Sequence, residues 1–133
     1  MVSKMTEPLD QLAAARYLLL TTFRKDGRAV PTALWFATDG TDLVVWTPTK
    51  SGKVKRIRRD GAVTVAPCDF RGNPSGEAHQ AHARLLDAAG TERVRRLIGR
   101  RYGLFARVAV FGSRLRRGTD GTIGVAITLG PAA

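Results

Sequence analysis

The chain has 133 residues, enough for one domain with a single real core and too few for two domains of ordinary size. Its 44% hydrophobic and 25% charged content is that of a globular protein and argues against disorder. Twenty-two Lys and Arg against 11 Asp and Glu give a formal charge of +11, which points away from cationic partners and towards anions. The anion could be nucleic acid, an anionic membrane surface, or a phosphorylated or carboxylated small molecule. A proteome rich in Arg would produce part of the same surplus without any partner.

The single cysteine, Cys68, excludes an internal disulfide framework and fits a reducing compartment. Leu18-Leu19-Leu20 is too short for a signal-peptide core or a spanning helix, so the expectation is a cytoplasmic protein with no membrane partner.

In chain order, Pro8 to Ala15 reads as a first helix, with Leu9, Leu12 and Ala13 on one face and Thr6 as its N-cap. Tyr17 to Phe23 is a strand, closed by the turn Arg24-Lys25-Asp26-Gly27. A strand over 28–37 follows, then the hairpin turn Thr38-Asp39-Gly40-Thr41 and a strand over 42–48. The character then changes abruptly. Residues 50–59 hold six cations (Lys50, Lys53, Lys55, Arg56, Arg58, Arg59), with no acid before Asp60. Val54 and Ile57 sit three apart, so a short helix can lay one face on the sheet while cations surround the rest, with Gly61 ending it.

Ala62 to Cys68 is a fourth strand, the turn-rich stretch 69–76 a loop, and Glu77 to Asp87 a fifth strand. A helix starts with Thr91 as cap. Val94, Leu97 and Ile98 lie on one side, and Arg93, Arg95, Arg96, Arg100 and Arg101 populate the rest. Gly103 breaks it before a second helical stretch from Leu104 to Arg117. The turn 118–121 and a strand from Thr122 to Leu129 complete the chain. Six strands with few helices and no βαβ alternation predict a mainly β fold. The expected form is a mostly antiparallel barrel with helices plugging its ends, in one domain over 1–133.

A phosphodiester needs cations and N–H donors together, and residues 47–53 offer both, with Thr49 and Ser51 interleaved among the lysines. The competing reading of the basic helix is a solvated face. Trp46 follows Val44-Val45 and is expected in the core or at a subunit contact, Trp35 is placed between core packing and contact with a ligand, and Tyr102 and Phe105 pack at the helix break. His79 and His82 are three apart and fall on opposite faces of a strand, which argues against a metal site. Cys68 has no base near it and reads as a buried thiol. No Ser/His/Asp order or nucleophile elbow is present, which favours cofactor-borne chemistry over acid–base side chains.

Three segments carry a resemblance: Gly27 to Phe36, Thr47-Pro48-Thr49-Lys50-Ser51-Gly52-Lys53-Val54-Lys55-Arg56-Ile57, and Val63-Thr64-Val65-Ala66-Pro67-Cys68-Asp69-Phe70-Arg71-Gly72. Together they resemble the flavin/deazaflavin oxidoreductases of the pyridoxamine 5′-phosphate oxidase-like split β-barrel type. Within these the chain is most similar to the actinobacterial branch that uses the deazaflavin coenzyme F420. The resemblance implies a six-stranded Greek-key FMN-binding split barrel, acting as a homodimer with cofactor sites at the subunit interface. It implies that Pro31, Thr32, Leu34 and Trp35 line the ring system, and that Thr47, Lys50, Ser51, Lys53 and Arg56 meet the phosphate. Ala66, Pro67 and Cys68 would approach from a further strand. The implied activity is hydride transfer from reduced F420 to a small electron-poor substrate, with no catalytic side chain named.

Two alternatives stand beside it. FMN could replace F420, as in a pyridoxamine 5′-phosphate oxidase-like protein, although the C-terminal Ile127-Thr128-Leu129-Gly130-Pro131 shows no Arg-x-His substrate signature. A basic barrel could instead bind nucleic acid through the arginine-rich helices, although its aromatics are only 7% and are not interleaved with the arginines.

Overall fold

The structure is a computed structural model that describes residues 6–117 and 121–130, with side chains described for 8–103 and 121–130. The elements in chain order are α1 (Thr6–Ala14), β1 (Tyr17–Phe23), β2 (Ala29–Leu34), β3 (Phe36–Asp39), β4 (Asp42–Pro48), α2 (Gly52–Arg59), β5 (Ala62–Cys68), β6 (His79–Leu85), α3 (Ala88–Arg117) and β7 (Thr122–Leu129). The side chain of Thr6, expected to cap α1, lies outside the described residues, as does that of Phe105.

All strand pairings are antiparallel, in the order β2-β1-β5-β6-β7-β4-β3. The two ends of that order are consecutive in sequence. Leu34 pairs with Leu18 of β1, whereas Phe36, two residues on, pairs with Val45 of β4. Two residues span about 7 Å of extended chain, so the sheet must curl until its edges nearly meet. This corrects the expectation of one strand over 28–37 and six strands in all: the run divides at Trp35, and there are seven strands among the described residues.

The division has a packing cause. Val30, Thr32 and Leu34 stand opposite Thr22, Leu20 and Leu18, the buried positions of β1, so β2 turns this row to the interior. Phe36 is fully buried in the same interior cluster, beside Leu43, Val45, Val65, Val125 and Ile127. The chain passes from one edge of the curled sheet to the other while keeping its alternate apolar side chains on one core. Gly40, at φ +63 and opening the two-residue link to β4, occupies the place where a type II′ turn needs glycine.

Helix α1 packs Leu12 and Leu9 against the interior cluster, and α2 adds Ile57 to it. Helix α3 covers the outer face of β3, β4 and β7, where Val94 and Ile98 meet Ala37, Val44 and Ala126. It begins three residues earlier than the sequence suggests. The Asp87 carboxylate accepts Gly90 N–H at 2.8 Å and caps the helix. Thr91 instead uses its hydroxyl to accept Gly124 N–H at 2.9 Å, tying the helix to β7. The break at Gly103 is observed, at φ +71.

Gly61 does not end α2 by adopting a left-handed conformation. The helix stops at Asp60, whose N–H donates to the Arg56 carbonyl. Gly61 is there for space, since a Cβ on it would lie 2.6 Å from the Ala83 carbonyl oxygen and 2.6 Å from the His82 ring. Gly61→Ala is expected to destabilise the protein by about 1–3 kcal/mol, because backbone must move to admit the methyl group. Urea denaturation monitored by circular dichroism checks this.

Candidate functional site

The site begins where the β3–β4 ladder stops. Phe36 pairs with Val45, so a ladder continued two more steps past Phe36 would set Trp35 against Trp46 and Leu34 against Thr47. Leu34 has swung away to β1 instead. A wedge therefore opens between β2 and the end of β4, with its apex at Trp35 and its mouth towards Pro31, Pro48 and the start of α2. Along it, β2 has its ladder partner on the β1 side alone, and residues 46–48 have theirs on the β7 side alone. Pro31 suits such an edge, since a proline has no N–H to leave unpaired.

Of the residues singled out from the sequence, two groups lie on the elements to either side of this wedge. Pro31, Thr32, Leu34 and Trp35 form one lip. Thr47 ends the other, and Lys50, Ser51, Lys53 and Arg56 follow on the turn into α2. Ser51 is the N-cap of α2, its hydroxyl accepting Val54 N–H at 3.4 Å. Gly52 lets Arg56 fold back over this first turn, where a glycine Cβ would be 2.7 Å from an Arg56 terminal nitrogen. The Arg56 Nε donates to the buried Thr22 hydroxyl at 2.7 Å, which fixes the guanidinium and links α2 to β1.

Among the described residues, no carboxylate lies within 4.0 Å of any cation from Lys50 to Arg59. Burial first, and the neighbouring charge of Arg56 second, hold the Lys53 amine below its ordinary value. Arg56 is lowered by burial and then by Arg24 and Arg59. These cations crowd one another without an acid to relieve them, which is the electrostatic state an anion would improve. Thr47 adds to this. It is 2% exposed, and its hydroxyl makes no hydrogen bond. An orphaned buried hydroxyl beside a cationic helix N-terminus fits a phosphate oxygen as its missing partner.

The third group is placed elsewhere within the chain. Ala66, Pro67 and Cys68 stand opposite Leu19, Leu18 and Tyr17, so β1 separates them from β2. Cys68 is buried, and burial with the Asp69 charge pushes its thiol up, away from the reactive thiolate. Trp35 is half-buried and stacked on Tyr102, with ring centroids 5.0 Å apart, which gives it a packing role. Trp46 belongs to the cluster beneath α3, as expected of a core residue. His79 and His82 do lie on opposite faces, opposite Val65 and Ala62 respectively.

Tyr102, expected to pack at the helix break, does so, but sequence reasoning missed its hydrogen bonds and the role of Arg101 in holding the wedge in shape. The Tyr102 hydroxyl donates to the Arg16 carbonyl at 2.7 Å and accepts Phe36 N–H at 3.2 Å. Arg101 donates to the Ala13 and Ala15 carbonyls at the end of α1 and lies 4.2 Å from the Phe36 ring centroid. The hydrogen bonds among these links span 66 to 88 residues and leave no local signal. They also draw arginines of the first part of α3 into the structure. Arg93 is paired with Asp39 and Arg95 is buried against Glu92 and Thr122. With Arg101 these make three of the five arginines between Arg93 and Arg101 engaged in structure; the side chains of the later arginines of α3 lie outside the described residues. No described helix is long and apolar enough to cross a membrane.

Because an anion at Lys53 favours its protonated form, binding raises the lowered value back towards normal. Affinity for a phosphorylated ligand is therefore expected to fall as pH rises through the alkaline range, sooner than for an exposed lysine. Proton uptake should accompany binding there, and Lys53→Arg should abolish both effects. Calorimetric titrations in buffers of different ionisation enthalpy measure this.

No family model matches the chain, and no curated protein matches it. Solved structures do. A pyridoxamine 5′-phosphate oxidase candidate from Listeria innocua superposes with a TM-score of 0.67 at 17% identity, over 97% of this chain and 95% of that one. A protein described as an F420 reductase gives 0.60 at 21% identity, over 92% of each chain. The heme-storage protein of Vibrio cholerae gives 0.64 at 12% identity, over 96% of this chain and 90% of that one. At these identities the likeness establishes architecture: the chain has the curled antiparallel half-barrel with flanking helices that characterises the pyridoxamine 5′-phosphate oxidase-like split barrel.

Proposed function

We propose that the protein is an F420-dependent oxidoreductase, working as a homodimer, that reduces a small electron-poor organic molecule. The observation that carries this reading is the uncompensated cationic turn at the wedge: Lys50, Ser51 and Lys53, with Arg56 folded over Gly52 and the unpartnered Thr47 hydroxyl beside them. This donor set fits a phosphodiester. A reduced deazaflavin, when bound, supplies a hydride, so the chain's own task is positioning. Ser51 and the α2 N-terminus would orient the phosphate, Lys50, Lys53 and Arg56 would neutralise it, and the β2 lip from Pro31 to Trp35 would flank the ring. An F420 reductase and a pyridoxamine 5′-phosphate oxidase candidate among the structural neighbours support redox cofactor binding of this kind.

The homodimer is supported by the outer face of β2, β1 and β5. Pro31, Ala33, Leu19, Thr21 and Thr64 share it with the buried Ala66, none carries a charge, and the loop at Gly72 covers part of it beside Leu19 and Ala33. In a chain of formal charge +11, such a face lets two copies approach without repulsion. Because β2 and β5 flank β1, a two-fold axis through β1 would set one copy's Ala66–Cys68 segment against the other copy's β2. Fluorescence titration with F420 and with FMN, followed by turnover of reduced F420 against a panel of quinones and enones, tests the reading. Tight F420 binding with turnover is expected. FMN binding with none of F420 would overturn it in favour of a flavin protein.

A further inference from the structure

The cations of α2 do not stop at the wedge. Past Arg56 they run to a cavity of 410 Å³ lined by Phe23, Arg24, Lys25, Gly27, Arg59 and Asp60. We infer that this cavity is a second anion site, one that takes a phosphate or carboxylate group distinct from the phosphate at Ser51 and Lys53. The inference deepens the cofactor reading above and rests on it for the identity of a linked ligand, while the anion chemistry stands by itself.

Two separate elements converge there. From α2, Arg59 donates to the Phe23 carbonyl at 2.6 Å, which anchors its guanidinium at the cavity wall. From the β1–β2 turn come Arg24 and Lys25, shaped by the Gly27 N–H bond to the Arg24 carbonyl and by Gly27 at φ +88. The acid of that turn is already engaged, since Asp26 pairs with Arg28 at 2.8 Å and also accepts its backbone N–H. Asp60, the acid in the lining, accepts Ala62 N–H at 3.0 Å. Three cations thus face one carboxylate across the cavity, and no described carboxylate comes within 4.0 Å of Arg24, Lys25 or Arg59.

Arg56 stands between the two sites, and its guanidinium feels the charge of both Arg24 and Arg59. The negative end of the α2 dipole accounts for arginines in the last turn of the helix, but it makes no demand for Arg24 and Lys25 on another element. Space is available as well, since a Cβ on Gly27 would meet nothing within 4 Å. The anion could be a remote group of the same elongated molecule whose phosphate sits at Ser51, or a separate anion. The chemistry recognised is the same.

The test uses the full chain and follows backbone amide signals by NMR during titration with inorganic phosphate, then with F420 and with FMN. Phosphate is expected to shift two groups of amides, residues 51–54 and residues 24–27, with independent midpoints. Arg24→Gln with Arg59→Gln, both at exposed positions, should remove the second response and leave the first. If F420 shifts both groups together, and the double variant weakens F420 by about tenfold while changing FMN little, one molecule spans both sites. If F420 affinity is unchanged while phosphate still shifts 24–27, the second anion is separate. Phosphate shifts confined to residues 51–54 would overturn the second site and leave the cofactor reading standing. Shifts at 24–27 without any at 51–54 would uphold it and remove the first. The amide spectrum of the variant reports that it remains folded.

Discussion

Lys50→Ala combined with Lys53→Ala is expected to weaken F420 binding by about 1–3 kcal/mol while leaving the fold intact. Neither residue has a described carboxylate within 4.0 Å, and neither makes a hydrogen bond or ion pair within the described chain that its loss would break. Removing Lys53 also removes a charge disfavoured first by burial and then by Arg56, so a modest gain in the stability of the unliganded protein should accompany the loss of affinity. That opposite movement separates a ligand site from a structural one. A cation that merely decorates a solvated face would change neither quantity. Fluorescence titration gives the affinity, and urea denaturation without ligand gives the stability.

Phe36→Ala is expected to cost about 3–5 kcal/mol of stability, the range for removing a buried aromatic side chain. Phe36 is fully buried at the point where the chain crosses between the two edges of the sheet. Its ring lies beneath Arg101, which also binds the end of α1, and its N–H reaches the Tyr102 hydroxyl. The substitution leaves a cavity and loosens both the helix contact and the apex of the wedge. Cofactor affinity should fall with stability even though Phe36 lies on none of the phosphate-facing residues. Phe36→Leu, which keeps most of the apolar volume, is expected to lose less of each. Chemical denaturation of both variants, with parallel ligand titrations, checks the coupling.

The contrast between these two positions shows what the sequence can reveal. The cationic turn was legible because it is local. Ser51, Val54 and Ile57 sit at helical spacing, and six cations in ten residues need no tertiary information to be noticed. The antiparallel meander was legible for a similar reason, with Gly27 and Gly40 both at positive φ where turns were expected.

The division of the run 28–37 was not, because no glycine or polar break marks Trp35. It exists because Leu34 and Phe36 find partners on opposite edges of a curled sheet. Asp87 was hidden as a cap because Gly90, a poor helix former, sits in the first turn, and Thr91 offered a more familiar signature. The two strand lips of the wedge are likewise a property of the closed sheet.

The central claim is that the turn from Thr47 to Lys53 holds a phosphodiester at the mouth of the wedge. A crystal structure of the protein grown with F420 tests it most directly. The account predicts the F420 phosphate within hydrogen-bond reach of the Ser51 hydroxyl and the Lys53 amine, with the deazaflavin ring against β2. Phosphate density elsewhere, with Lys50, Ser51 and Lys53 facing bulk solvent in the assembled protein, would contradict it.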